Sequence, residues 1–293
     1  MSNLLVLPDL REMLVENDDA ALKEIVTELH PATIADFAEG LTLEETWQLL
    51  DHGPVARQAE ILSFFPAAKQ VEMVTGTGRH KLSKLLEAMS HDDRVVLVRE
   101  LDEEVVDDVL PLVAKADRED IRRLLSYPED SAGSMMTTDY AWLPRDITAA
   151  QAIEELRKQA FEKEPIYYVY VLDENRRLMG FVSLRHLILA KPTALIADIM
   201  QTEVISVRVD ADQEEVANLL ARYDFLAIPV IDDQHRLVGI ITHDDAIDVV
   251  VEEATEDALH QAGVAAIDES YLEAPLGMIW KKRASWLSCF FIA

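Results

Sequence analysis

The chain has a single cysteine, and one long interval of it contains no basic residue. Because Cys289 cannot form an intrachain disulfide, the 293-residue chain suits a reducing compartment. The N-terminus has no basic stretch ahead of its short apolar run, so it lacks the pattern of a signal peptide. No lysine or arginine occurs between Arg236 and Lys281. The formal net charge is −28, which argues against a nucleic-acid partner and favours the attraction of cations.

Features that are common in enzymes are also missing from the sequence. It shows no nucleophile–base pairing, no Gly-rich phosphate loop and no metal-type cluster of His and Cys. An enzyme therefore ranks behind two binding functions that are set out below. The length fits about two ordinary domains, and 49% of the residues are apolar, so the chain can bury cores of substantial size.

Acidic residues fill the interval that lacks bases. Four of them recur at every fourth position: Asp244, Asp248, Glu252 and Glu256. This spacing places the carboxylates on one face of a helix, where each like-charged pair opposes the helix by about 0.2–0.5 kcal/mol. One reason for such a stripe is the supply of oxygen ligands to a hard cation such as Mg2+. The other interpretation is a solvated helix face that adds solubility.

Residues 1–130 show helical periodicity that is interrupted only by short breaks. One apolar stripe consists of Leu22, Ile25, Val26 and Leu29. Thr42 and Glu45 have the spacing of a capping box ahead of another stripe. Short helices in series predict an all-α solenoid in which neighbouring helices bury one another's apolar faces. Within it, the acids of the segment 91–93 (His-Asp-Asp) either cap a helix or face the acidic stripe across a domain gap.

Residues 131–251 contain the same order of elements twice. The second halves of the two copies align at an offset of 59, which pairs Asp173 with Asp232, Leu178 with Leu237 and Gly180 with Gly239. Runs rich in Val and Ile between Asp and Gly predict strands, so each copy is predicted as β-α-β-β-α. A module this small is poorly stable alone, and we expect the two copies to pack together.

This order of elements resembles tandem CBS domains, which often bind adenine nucleotides in the cleft between the copies. The resemblance implies a nucleotide site, with ATP as a candidate ligand, at Tyr168, Arg185, His186, Phe225 and Pro229, with Asp244 as a nearby acceptor. The family pattern of Gly, two apolar residues, Ser or Thr, two residues and Asp is complete in the second copy, where it ends at Asp245. The first copy has His186 at that position, and a neutral imidazole offers ribose only one acceptor. The alternative is that these residues only pack the module.

The C-terminal part joins basic residues to an apolar run. The bases at 281–283 precede the segment 286–293, in the manner of a membrane span that begins on the cytoplasmic side. A span needs about 20 apolar residues, and the chain continues for ten residues beyond Arg283. We therefore expect the cytoplasmic portion of a protein of the inner (plasma) membrane. A short hydrophobic helix that docks on the other domains is the alternative interpretation.

The order of all these parts resembles the MgtE family of magnesium transporters and channels over essentially the whole chain. The most specific segments are the junction 127–133 and the acidic segment 252–257. The resemblance implies an α+β multidomain fold, consisting of an all-α superhelical N-domain (1–130), two α/β CBS modules (131–195 and 196–251), a long connecting plug helix (252–277) and the start of a first transmembrane helix (278–293). It also implies a homodimer whose membrane domain, on the same polypeptide, forms the pore.

The same resemblance implies that this region senses intracellular Mg2+ and that the plug helix closes the pore when the sensor is loaded. The implied metal ligands are Asp224, Asp245, Asp248, Glu256 and Asp257 on the CBS–plug side, and Asp92 and Asp93 on the N-domain. Val96 stands one turn after Asp92, where a further acid would complete a site. The charges themselves suggest a mechanism in which surplus carboxylates push the domains apart and bridging Mg2+ draws them together. The alternative from another class is a nucleotide-sensing CBS regulator whose acids serve solubility.

Overall fold

The computed structural model describes residues 3–159 and 166–261, of which residues 3–124 form helices joined by short links. These helices are α1 (Asn3–Glu16), α2 (Asp19–Glu28), α3 (Pro31–Ala38), α4 (Leu43–Leu50), α5 (Val55–Ser63), α6 (Ala67–Thr75), α7 (Arg79–Ala88), α8 (His91–Glu100), α9 (Glu103–Val109) and α10 (Lys115–Leu124), with a 3-10 turn at Leu110–Leu112. They bury one continuous apolar core that extends from Leu10 to Ile121. The all-α character predicted for the N-terminal part is confirmed.

The local sequence determines where several of these helices begin. Thr42 and Glu45 form the predicted capping box at the start of α4, with hydrogen bonds of 2.9 and 3.2 Å. Pro31 is the first residue of α3, where its missing N–H has no helical partner to lose. Ser90 precedes α8, but its hydroxyl donates to Asp93 Oδ2 at 2.7 Å instead of accepting from the backbone. The side chain of Ser90 therefore does not cap α8 and instead binds an acid of its first turn.

The rest of the described chain forms two small α/β modules. The first module contains β1 (Trp142–Pro144), α12 (Ala149–Gln159), β2 (Tyr168–Leu172), β3 (Leu178–Ser183) and α13 (Leu184–Leu189). The second contains β4 (Val207–Arg208), α15 (Gln213–Tyr223), β5 (Ala227–Ile231), β6 (Leu237–Thr242) and α16 (His243–Gln261). In each sheet the first two strands are parallel and the last two antiparallel. The predicted β-α-β-β-α order is confirmed in both copies.

Two short helices lead into the modules but pack into the opposite module. α11 (Ala132–Met135) precedes the first module, yet Ala132 and the following Met136 lie in the core of the second, where Ala132 N–H donates to Ala211 O at 2.8 Å. α14 (Ile196–Ile199) precedes the second module, and its Ile196 is buried in the core of the first. This exchange makes the two modules interdependent.

The N-terminal helices pack directly on the second module. Val95 of α8 and Leu124 of α10 belong to the same apolar core as Ala246 and Val249 of α16. The start of α8 is therefore held close to the start of α16. Among the residues that the structure describes, no helix is both long and apolar enough to cross a membrane. The predicted remainder of the plug helix and the predicted membrane segment 278–293 lie outside the described residues.

Candidate functional site

Carboxylates from two separate parts of the chain meet where α8 and α16 begin. Asp92 and Asp93 occupy the first turn of α8, and Asp244 and Asp245 occupy the first turn of α16. Asp248 follows one turn later on α16. The apolar contact of Val95 with the core below α16 holds these acids together against their mutual repulsion. The structure therefore places the acids of the segment 91–93 against the acidic stripe, which is one of the two arrangements that the sequence allows.

The surroundings of Asp92 disfavour its ionised form. Its Oδ1 is buried and has no hydrogen-bond partner among the described residues. Burial and the neighbouring charge of Asp93 raise the pKa of Asp92 above the usual range of aspartate. Leaving a buried acceptor unmatched costs about 1–3 kcal/mol, and more when the group is charged. The arrangement calls for a cation or a proton at this oxygen.

The pKa values of Asp245 and Asp248 on α16 are raised in the same way as that of Asp92. Burial, and next the charge of Asp92, raise the pKa of Asp245, although Thr242 donates to Asp245 Oδ2 from its hydroxyl and from its backbone N–H at 3.3 Å. Burial, followed by the charges of Asp244 and Asp93, raises the pKa of Asp248. Both helix starts thus carry acids that are costly to ionise in this arrangement, and each would gain from a shared divalent cation.

The other predicted metal ligands lie apart from this cluster or outside the described side chains. Asp224 is exposed at the C-terminal end of α15 with a φ of 52°, and no hydrogen bond or ion pair joins its side chain to α8 or α16 in the described chain. Glu256 and Asp257 belong to the backbone of α16, but their side chains lie outside what the structure describes. Across the described ranges, no three His, Cys, Asp or Glu side chains stand in a geometry that could hold a metal ion.

A second candidate site is an aromatic cavity between the two modules. It has a volume of about 120 Å³ and is lined by Tyr168, Tyr170, Phe181, Gln201, Glu203, Val204, Ile205, Phe225, Ala227 and Pro229. Tyr168 and Phe181 meet edge to face, with ring centroids 5.4 Å apart. The hydroxyl of Tyr170 is buried without a hydrogen-bond partner in the described chain, and burial raises its pKa. The aromatic walls of the cavity suit a planar ligand.

Three of the six predicted nucleotide contacts line this cavity, and three do not. Tyr168, Phe225 and Pro229 are in its wall, whereas Arg185, His186 and Asp244 are exposed on helices α13 and α16. His186 Nδ1 lies 3.0 Å from Ser183 Oγ, in the same relation as Asp245 to Thr242 in the second copy.

Sequence reasoning missed the other seven lining residues, which are Tyr170, Phe181, Gln201, Glu203, Val204, Ile205 and Ala227. The two-residue period of a strand places Tyr170 on the same face as Tyr168, so alternation along β2 was a signal for that residue. The same period places Ala227 on one face of β5 with Pro229. For the other five residues the local sequence carries no comparable signal.

Comparison with known proteins gives the same division of the chain into helices and modules. Residues 29–130 match the family model of the MgtE intracellular N domain, and residues 132–192 and 196–252 each match the CBS domain. The soluble part of a magnesium transporter, known from a crystal structure, is 32% identical with a TM-score of 0.81, and the match covers 86% of this chain and 99% of that one. The chain belongs to the MgtE family. The predicted family and fold class are both confirmed.

Two further MgtE proteins show how far the similarity extends. Magnesium transporter MgtE of Thermus thermophilus is 39% identical over 282 residues, which is 95% of this chain and 62% of that protein. The chain thus spans less than two thirds of that relative's length. The cytosolic domain of a Mg2+ channel MgtE, whose structure was determined in complex with ATP, is 38% identical with a TM-score of 0.77 and covers 82% of this chain and 98% of that one.

Proposed function

We propose that this chain is the Mg2+-sensing and gating region of a magnesium transporter or channel. The observation that carries the proposal is the buried, unpartnered Oδ1 of Asp92 opposite Asp245, two acids that lie on different lobes of the chain. A carboxylate oxygen without a donor, next to a second carboxylate, is matched by a hard divalent cation. The chemistry of the donor set therefore fits Mg2+.

Gating follows from the charge balance between the lobes. At low Mg2+ the closed arrangement requires the acids of α8 and α16 either to repel as anions or to take up protons, and the net charge of −28 adds a repulsive field over the whole molecule. Mg2+ bound by Asp92, Asp93, Asp245 and Asp248 would offset that repulsion and favour the closed arrangement. Since these carboxylates do not yet converge on one point, binding would draw the helix starts together. Differential affinity for the closed state makes the response graded with Mg2+ concentration.

We extend this proposal to the organisation of the complete protein. The N-domain would occupy residues 1–130, the CBS modules 131–195 and 196–251, the plug helix 252–277 and the start of the membrane span 278–293. The protein would be a homodimer in the inner membrane with this region in the cytoplasm, and α16 would carry the sensor's state to the pore. Similarity to MgtE of Thermus thermophilus over 95% of this chain supports that organisation.

Limited proteolysis tests the proposed sensor. Millimolar Mg2+ is expected to slow digestion of the 293-residue chain about tenfold, because closure removes cleavable open states, and the triple variant Asp245→Ala, Asp248→Ala, Glu256→Ala is expected to lose this protection. The matched control, Glu24→Ala, Glu28→Ala, Glu174→Ala, removes the same charge from exposed positions and should retain it. Protection by ATP with none by Mg2+ would favour the nucleotide-sensing alternative and overturn the sensor.

We also propose that the aromatic cavity binds the adenine ring of ATP. The aromatic lining of the cavity supports this, as does the ATP complex of the relative that is 38% identical. The cavity of about 120 Å³ is smaller than pockets for drug-sized ligands, which have about 300–1,000 Å³, so we assign only the adenine ring to it. This ligand would regulate the same region and would not replace Mg2+.

Tyr168→Ala is expected to weaken ATP binding by about tenfold, because an aromatic wall contributes about 1–3 kcal/mol per stacked base. Titration calorimetry with ATP measures the change. Tyr167→Ala is the matched control, since Tyr167 is the adjacent tyrosine and is 52% exposed outside the cavity. Equal affinity of the two variants would show that the cavity does not hold the base. The Mg2+-dependent protection should be the same in both.

A further inference from the structure

His91, the first residue of α8, forms a three-way contact between separate parts of the chain. Its Nδ1 lies 2.8 Å from Asp120 Oδ2 on α10, and its Nε2 lies 3.3 Å from Asp139 Oδ2 in the segment that leads into β1. The hydroxyl of Thr138 contacts the same Nδ1 and donates to Asp120 Oδ2 at 3.0 Å. The imidazole is 18% exposed, so both of its nitrogens are committed to these partners. We call this group of four residues the His91 clamp.

The clamp is connected to α16 through a short chain of backbone contacts. Thr137, next to Thr138, exchanges two hydrogen bonds of 2.9 Å with Ile240 of β6. Met136 packs against Gly239, where there is no room for a side chain on the glycine. β6 ends at Thr242 and α16 begins at the next residue. Asp139 is therefore fixed relative to the start of α16, and His91 holds the start of α8 to the same frame.

The clamp lies beside the most unfavourable electrostatic contact in the site. Asp92 and Asp93 directly follow His91 and face Asp245 and Asp248, with like charge on both sides. In the clamp the carboxylates have partners that favour their ionised form. Burial raises the pKa of Asp120, but the hydrogen bond with His91, the neighbouring Arg123 and the hydrogen bond from Thr138 together outweigh burial and lower that pKa. An attractive contact thus adjoins the repulsive one on the same helical turn.

We propose that His91 is a positioning residue of the cation sensor, which holds the start of α8 so that Asp92 and Asp93 stay within reach of α16 when Mg2+ is scarce. The inference rests on the proposed Mg2+-sensing function and adds a residue that touches no ion. The clamp opposes the carboxylate repulsion and raises the share of closed molecules before any cation binds. Because apparent affinity scales with the competent fraction, the clamp would set the Mg2+ concentration at which the sensor closes.

The test is the midpoint Mg2+ concentration for protease protection in the 293-residue chain. His91→Ala is expected to raise the midpoint about threefold to tenfold, since the closed fraction falls by that factor. His52→Ala is the matched control: His52 is also 18% exposed and lies 3.2 Å from Asp19, but this contact lies within the N-terminal part of the chain, between α2 and the link from α4 to α5. That control should shift the midpoint less than about twofold. Asp139→Asn should shift it in the same direction as His91→Ala, and the double variant no further than His91→Ala alone, because that change already removes the contact with Asp139.

Each result has a distinct meaning. If His91→Ala and His52→Ala give the same midpoint while the unaltered chain responds to Mg2+, the positioning role is wrong and the sensor stands. If the unaltered chain does not respond to Mg2+, the sensor itself fails and this inference fails with it. Should His91→Ala fail to fold by circular dichroism, Asp139→Asn decides alone, because that change leaves the N-terminal helices untouched. An unchanged midpoint in a folded Asp139→Asn variant overturns the clamp.

Discussion

Asp245→Asn is expected to stabilise the closed arrangement without Mg2+ and to remove much of its dependence on Mg2+. The amide keeps the shape of the carboxyl group and can still accept from Thr242, and it is neutral beside Asp92 without binding a proton or a cation. Relief of a buried like-charge contact is worth about 1–2 kcal/mol. Proteolysis in the presence of a chelator measures the effect, and digestion should be slower than for the unaltered chain.

The same substitution is expected to flatten the pH dependence of the Mg2+-free chain. The pKa of Asp92 is raised from 3.8 to about 6 and that of Asp245 to about 9, mainly by burial. The folded state therefore binds more protons than the unfolded state above pH 3.8, and stability falls as the pH rises through that window. Thermal unfolding at about pH 5 and about pH 8 should show this loss, which is smaller in Asp245→Asn.

Asp224→Asn is the control for both experiments, since Asp224 is exposed and separate from the two helix starts. It should leave the Mg2+-free digestion rate and the pH slope unchanged. If Asp245→Asn instead digests faster than the unaltered chain, the Asp245 carboxyl group stabilises the closed arrangement, and the unfavourable contact between Asp245 and Asp92 is wrong.

Gly239→Ala is expected to lower the free energy of unfolding by about 1–3 kcal/mol. A Cβ at this position would lie 2.5 Å from Met136 Sδ and 2.8 Å from Thr137 O. The sulfur can move, but the carbonyl belongs to the backbone that pairs with Ile240, so the pairing must loosen. Chemical denaturation measures the loss, and the Mg2+ response should weaken with it because Asp139 loses its support.

Gly76→Ala is the matched control for that prediction. Gly76 closes α6 with a φ of −79°, and a Cβ there would meet nothing within 4 Å. Its change in unfolding free energy should stay within about 0.5 kcal/mol. Equal effects of the two substitutions would mean that the segment around Met136 adapts freely.

Most of the architecture could be predicted because it follows from regular patterns along the sequence. The apolar period of 3.6 residues marks helices such as α2 and α4, and the offset of 59 between Asp173 and Asp232 reveals the two modules. The exchange of α11 and α14 between the modules could not be predicted in this way. Both helices lie beside their own module in sequence, and only tertiary contacts decide which core takes Ala132 or Ile196.

In the candidate site, too, local sequence patterns could be predicted and contacts between distant residues could not. The acidic stripe stood out because bases are absent around it, and the acids at 91–93 stood out at a helix start. That Asp92 meets Asp245 depends on Val95 packing into the second module, a contact between residues that lie far apart in the chain. The His91 clamp could not be predicted for the same reason, since its partners Asp120 and Asp139 follow no local pattern.

The hairpin turns of the two modules are joined to each other by main-chain hydrogen bonds. Leu178 N–H donates to His235 O and Leu237 N–H donates to Arg176 O, both at 3.0 Å, with Arg177 opposite Arg236. Together with the swapped leading helices, this seam couples the twin modules through their main chains as well as their cores. A displacement of one sheet would then be passed on to the other, so the pair is expected to respond as one unit.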